Sequence, residues 1–110
     1  MKVPGAEQAF IDIAKLRDYS LSSAHEEGKH KARVFAAALG LTEDDAEWLR
    51  QILLNVVRQS ECHLGKKTPF GQRYIVDFPL TRHDKVARVR SVWNIRPDQN
   101  IPRLVTCYVL

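Results

Sequence analysis

The side chains best suited to chemistry in this chain fall into three short runs. The first is His25-Glu-Glu-Gly-Lys29-His30-Lys31. An imidazole titrates near neutrality and can give or take a proton, and a lysine ammonium can meet an anion. Lysines at a helix start oppose the macrodipole, so a helix built only for stability would carry acids there. The second run is Arg88 and Arg90, two positions apart and so on one face of a strand. Their guanidinium forks match phosphate oxygens. The third is Thr106 and Tyr108 on one face of a last strand, a hydroxyl pair able to position a phosphate or a ribose. Each run also has a plainer reading: a solvated helix start, a solvated strand face, ordinary β-formers. Other chemistries find less support. The histidines at 25, 30, 63 and 83 are scattered, with no helical i, i+4 pair and no accompanying carboxylate cluster, so no metal or cofactor is expected. The glycines at 28, 40, 65 and 71 are isolated and build no phosphate loop, and no nucleophile motif occurs.

The elements that must position these groups are legible from periodicity. Ile11, Ile13, Leu16 and Tyr19 suggest a short helical segment ending near Ser22. From Lys29, the apolar stripe Ala32, Phe35, Ala36 and Leu39 defines a second helix, closed by Gly40. Lys29 and Lys31 flank that stripe on opposite sides and His30 points away from it, so Lys31 is the better placed to reach a neighbouring sheet. Thr42 and Asp45 form a capping-box start to a third helix. Its face is Ala46, Leu49, Ile52, Leu53, Val56 and Val57, and it ends near Gln59. Residues 63–71, with Gly65, Pro69 and Gly71, read as a loop. Tyr74, Val76 and Phe78 alternate as a strand, and residues 79–84 read as a turn. Ala87, Val89, Ser91, Trp93 and Ile95 share one face of the next strand. In the last strand Val105, Cys107 and Val109 oppose Leu104, Thr106 and Tyr108. The expected fold is α+β: two or three N-terminal helices on one face of a three- to four-stranded antiparallel sheet. It forms a single domain over 1–110, with residues 1–9 a loose lead-in.

Length and composition agree with one globular core: 110 residues, 45% hydrophobic and 27% charged. No apolar run approaches the roughly 18 residues of a membrane helix. The first ten residues lack a signal-peptide pattern. A cytoplasmic chain with no membrane partner is the expectation, with Cys62 and Cys107 as reduced thiols. The net charge of +4 is unevenly placed. Residues 1–63 hold 8 Lys/Arg against 10 Asp/Glu, and residues 64–110 hold 9 against 3. A basic half of this kind attracts polyanions, of which nucleic acid is the commonest.

Taken in order, several segments carry a family likeness. They are Lys15-Leu-Arg-Asp-Tyr19; His25 with Gly28-Lys-His-Lys31-Ala32, Phe35 and Leu39-Gly40; Gly71-Gln-Arg-Tyr74; Ala87-Arg-Val-Arg90 with Val92-Trp93; and Pro102-Arg-Leu-Val-Thr106-Cys-Tyr108. Together they resemble an uncharacterised family of small bacterial domains, over nearly the whole chain. The layout is also similar, more distantly, to the barnase, EndoU, colicin and RelE-like ribonuclease toxins. The shared features are His30-Lys31 ahead of Phe35 on a helix, a Thr then an aromatic in the final strand, and an arginine on the strand before it. Ala32 stands where that superfamily's compact motif would run one step further.

That second likeness implies a metal-independent endoribonuclease toxin. A ribose 2′-hydroxyl would attack its own phosphate, leaving a 2′,3′-cyclic phosphate. His25 or His30 would serve as acid or base, Lys31 and Arg90 would stabilise the phosphorane, and Thr106 would hold a phosphate oxygen. Lys29, Arg88 and Tyr108 would bind RNA. The partners would be RNA and a cognate antitoxin or immunity protein. The rival expectation is a non-catalytic interaction module of such a system, binding nucleic acid or an acidic protein. The two diverge on whether the 25–31 segment converges on Arg90 and Thr106.

Overall fold

The structure is a computed structural model that describes residues 1–110. Helix α1 (Ile13–Lys15) runs directly into a π-helical turn over Leu16–Ser20. Helix α2 spans Lys29–Leu39 and ends on Gly40 in the left-handed conformation, φ 68°. A side chain resists that conformation, and glycine tolerates it. Helix α3 spans Ala46–Gln59, and the Thr42–Asp45 capping box at its approach is formed, with Thr42 N donating to Asp45 Oδ2 at 2.9 Å. Strands β1 (His63–Thr68), β2 (Gly71–Arg82), β3 (Lys85–Ile95) and β4 (Arg103–Val109) make one antiparallel sheet in sequence order. The fold is thus α+β, helices first. No helix is long and apolar enough to cross a membrane.

Two expected connections turn out to be strand. Most of residues 63–71 forms β1, hairpinned to β2 from His63↔Ile75 to Thr68↔Gly71. It lacks apolar alternation because it is an edge strand with no fully buried position. Residues 79–82 continue β2, and the turn comes only at His83-Asp84. Pro79 fits there because β1 reaches no further than Ile75, leaving that side of β2 an open edge where an N–H is dispensable.

One face of the sheet carries Val76, Phe78, Leu80, Val89, Ser91, Trp93, Leu104 and Cys107, all buried. Against it pack Leu16, Phe35, Leu39, Leu49, Leu53, Leu54 and Val57. Phe35, Leu49 and Leu53 are fully buried, as their period requires. Ile52 and Val56 are half-buried at the margin, and Leu54 takes a core place instead. Inside, Trp93 Nε1 donates to Ser91 Oγ at 3.0 Å and Ser91 Oγ donates to the Val76 carbonyl at 2.9 Å, so each of these buried polar groups has a partner. The first nine residues are not loose. Val3 and Ala6 are buried, and Cys62 N donates to the Met1 carbonyl at 2.7 Å. Phe10 then pairs with β4 beside Arg103 and covers that sheet edge. Both cysteines are free and buried.

Candidate functional site

Three devices aim side chains into one cleft. The first is a bulge in β4. Val92 pairs with Thr106 but Trp93 pairs with Leu104, so one extra residue, Val105, is inserted. Leu104 and Cys107 therefore both face the core, whereas strict alternation puts them on opposite faces. Val105, expected in the core, is half-buried in the cleft wall. Behind it burial pushes the Cys107 thiol up to about 12, so this cysteine is a protonated packing group.

The second device is the turn that leads into α2. His25 Nδ1 accepts from the N–H groups of Glu27 and Gly28, both at 3.0 Å. The His25 carbonyl accepts from Lys29 N at 2.9 Å. Gly28 is required by close approach: a Cβ there would lie 2.2 Å from the Tyr19 carbonyl oxygen. That contact seats the turn on the π-helical segment, with the His25 and Tyr19 rings edge-to-face at 4.6 Å.

The third device is the position of Lys31, which flanks the buried stripe of α2 and reaches the edge of β4. Its Nζ donates to Thr106 Oγ1 at 3.0 Å and lies 5.2 Å from the Tyr19 ring centre and 5.5 Å from that of Tyr108. A hydroxyl and two aromatic rings meet this ammonium, and no carboxylate pairs with it. The cleft has a volume of ≈ 550 Å³ and is lined by Asp12, Lys15, Tyr19, His25, Lys31 and Thr106, among others.

The other expected site residues lie elsewhere. Arg90 does not line the cleft. Its fork closes on Asp77 through Nε and Nη2, both at 2.8 Å, on the outer face of the sheet. The Asp77 carboxylate first, and the neighbouring Tyr108 hydroxyl after it, raise its pKa further. A guanidinium gripped in this way is not an open phosphate fork. Arg88 is exposed on the same face, opposite Pro79. Tyr108 pairs with Arg90 across the strands and joins the cleft only through Lys31. His30 is exposed and does not line the cleft; it lines a depression that adjoins the cleft through Lys31, with Val34, Tyr108 and Val109. Lys29 sits on the opposite flank of α2, bonded to Glu26 at 3.3 Å.

Three residues of the cleft were not legible as site residues: Asp12, Lys15 and Tyr19. Tyr19 counts as an apolar position in the first segment, yet its half-buried ring faces Lys31. The spacing of Asp12, Lys15 and Tyr19 by three and four residues was the available signal, since it stacks them on one side of a helical turn.

The acid–base character of the cleft follows from these bonds. Because Nδ1 of His25 accepts twice, the neutral ring carries its proton on Nε2. It is then a donor toward the cleft, and acting as a base would cost it both backbone bonds. Both Asp18 oxygens are held by Arg17, which keeps that carboxyl below its usual range. Asp12 receives the Ala14 N–H on Oδ1 at 3.0 Å and keeps Oδ2 free. No three His, Cys, Asp or Glu side chains gather where they could hold a metal ion.

No curated protein and no solved structure matches the chain significantly. A family model, Domain of unknown function (DUF6883), matches residues 2–110. The chain belongs to that family.

Proposed function

We propose that the cleft is the active site of a metal-independent endoribonuclease, acting in the cytoplasm and silenced by an antitoxin or immunity protein. The observation that carries this reading is the convergence of Lys31, Thr106 and His25 on one cleft, with Lys31 Nζ bonded to a hydroxyl and to no carboxylate. An ammonium without a counter-ion beside a neutral donor suits a phosphate that gains charge in the transition state.

In this scheme the phosphate displaces the Lys31–Thr106 contact and is held by both groups. Asp12 Oδ2 takes the proton of the 2′-hydroxyl as its oxygen bonds to phosphorus. His25 Nε2–H donates a hydrogen bond to a phosphate oxygen, the Lys31 ammonium gives the departing 5′-oxygen its proton, the P–O5′ bond breaks, and the proton held by Asp12 then returns to Lys31. A 2′,3′-cyclic phosphate and a 5′-hydroxyl end result, and the transferred proton balances the ionisation. Tyr19 and Tyr108 offer ring faces to a base or ribose. Arg90 keeps Tyr108 and the outer face in place and makes no contact with the phosphate. The test is incubation with total RNA in excess EDTA, followed by analysis of the product ends. Cyclic phosphate at the new 3′ ends supports the scheme, and intact RNA sinks it.

A second reading is favoured by one specific feature. The hydrogen bonds of His25 Nδ1 give that ring a structural job, closing the turn before α2. A non-catalytic module would keep the same turn and use Lys31 only to bind an anion. It forecasts salt-sensitive binding without any new RNA ends.

A further inference from the structure

The cations of this chain divide into those already engaged and those left open. Arg17, Lys29, Arg50, Arg82 and Arg90 each grip a carboxylate. Of the twelve that grip none, Lys15, Lys31, Arg96 and Arg103 line a run of three adjoining depressions. The cleft shares Asp12, Lys15 and Val105 with an adjoining depression of ≈ 260 Å³ that takes in Phe10, Arg96 and Arg103. That depression shares Asn94 and Arg96 with a third, of ≈ 460 Å³, which ends on Pro69 and Phe70. Three carboxylates touch the path: Asp18 in the cleft, already held by Arg17, Asp12 where the cleft meets the first depression, and Asp98 at the outer end.

Aromatic faces are set along the same groove. Phe10 is 48% exposed and lies under the Arg103 guanidinium at 5.4 Å, and the Nε of that arginine is buried without a partner. Phe70 is 80% exposed at the tip of the β1–β2 hairpin. A lone exposed apolar residue is ordinary, but this one is held in place. Asn94 Nδ2 donates to its carbonyl at 3.1 Å, and its N–H donates to Thr68 Oγ1 at 3.1 Å. The next residue, Gly71, has φ 134° and approaches Ile95 so closely that a Cβ would lie 2.2 Å from its carbonyl oxygen. The Asn94 and Thr68 bonds fix the backbone at the hairpin tip, so that only the Phe70 side chain has freedom to lose when a ring stacks on it.

We propose that this groove is a track for single-stranded RNA leading into the cleft. Phosphates sit on Lys15, Arg103 and Arg96, bases stack on Phe10 and Phe70, and one phosphodiester is delivered to Lys31 and Thr106. The proposal rests on the reading of the cleft as an RNA site and adds its substrate class. A duplex keeps its base faces stacked internally and has none to offer Phe70. The track spans roughly 15–20 Å from strand spacing and rise, enough for several nucleotides and beyond the reach of one phosphodiester.

The test compares a dinucleotide with an oligouridylate of about eight nucleotides, both 2′-O-methylated so that neither can be cut, by fluorescence anisotropy at about 50 mM salt. The longer strand is expected to bind at least about tenfold more tightly. The double variant Phe70→Ala, Arg96→Ala should erase that advantage while cutting an unmodified dinucleoside phosphate at the wild-type rate. Equal affinity for the two lengths, or a double variant that keeps the full advantage, overturns the track and leaves the cleavage reading untouched. Length-dependent binding by a protein that leaves total RNA intact in EDTA overturns cleavage and keeps the track. Failure to bind either strand overturns the track.

Discussion

Lys31 Nζ and Thr106 Oγ1 stand 3.0 Å apart although 75 positions separate them in sequence. The contact joins the first turn of α2 to the edge strand β4, and it exists because of two local irregularities. The Val105 bulge lets Leu104 and Cys107 both face the core while Thr106 stays on the outer face, and the close approach of Gly28 seats the start of α2 on the π-helical turn. Thr106→Val keeps the shape and removes the hydroxyl. It should lower RNA cleavage about tenfold to a hundredfold with an unchanged thermal midpoint. A midpoint lowered in proportion to the lost activity would make the contact structural.

Gly28 and Gly40 separate site geometry from stability. Gly28→Ala forces a Cβ against the Tyr19 carbonyl and should cost about 1–3 kcal/mol. It should also shift the His25 turn off Tyr19, so that activity falls further than the folded fraction does. Gly40→Ala meets no atom within 4 Å but must hold φ 68°, at about 1–2 kcal/mol. Its activity per folded molecule should equal wild type. Equal loss of specific activity in both variants would separate the Gly28 contact from the site.

Much of this architecture is legible in the sequence because its signals are local. Gly40 closes α2, Thr42 and Asp45 open α3, and the lysine beside a buried stripe can only lean over what the stripe packs on. Other features depend on register, which no local signal carries. Asp77 lies 13 positions from Arg90, and only the pairing of β2 with β3 sets them opposite each other. Arg90 therefore reads as a free fork when it is not. Strict two-residue alternation places Val105 in the core, and a single inserted residue overturns that. Strand β1 was invisible for another reason: an edge strand buries little and needs no apolar pattern.

The Asp77–Arg90 pair makes stability depend on pH. The Arg90 hydrogen bonds hold the Asp77 carboxyl below its usual range, with lesser help from the charges of His63 and Arg88. A carboxyl lowered on folding stabilises the protein fully above its unfolded value near pH 4 and loses that contribution as pH falls through the folded value. Wild type should therefore lose thermal stability on acidification below about pH 4 more steeply than Asp77→Asn. At neutral pH Arg90→Ala should lower the thermal midpoint modestly and reduce RNA cleavage far less than Lys31→Ala does. Parallel pH profiles for wild type and Asp77→Asn would contradict the pairing.

Ser91 is the hinge of a buried polar chain, accepting from Trp93 and donating to Val76. Ser91→Ala orphans the indole N–H where no water reaches it. Chemical denaturation should show a loss of about 1–3 kcal/mol with no change in the denaturant slope. A variant as stable as wild type would mean that the core repacks around the lost hydroxyl.

The central claim is that Lys31 serves a reacting phosphate, and its most direct test is single-turnover cleavage of an RNA oligonucleotide in EDTA by wild type and Lys31→Ala, each with its thermal midpoint measured. The account predicts cyclic-phosphate products from wild type, a rate at least about a hundredfold lower in the variant, and midpoints that coincide. Full activity in Lys31→Ala, or no products from wild type, would contradict it.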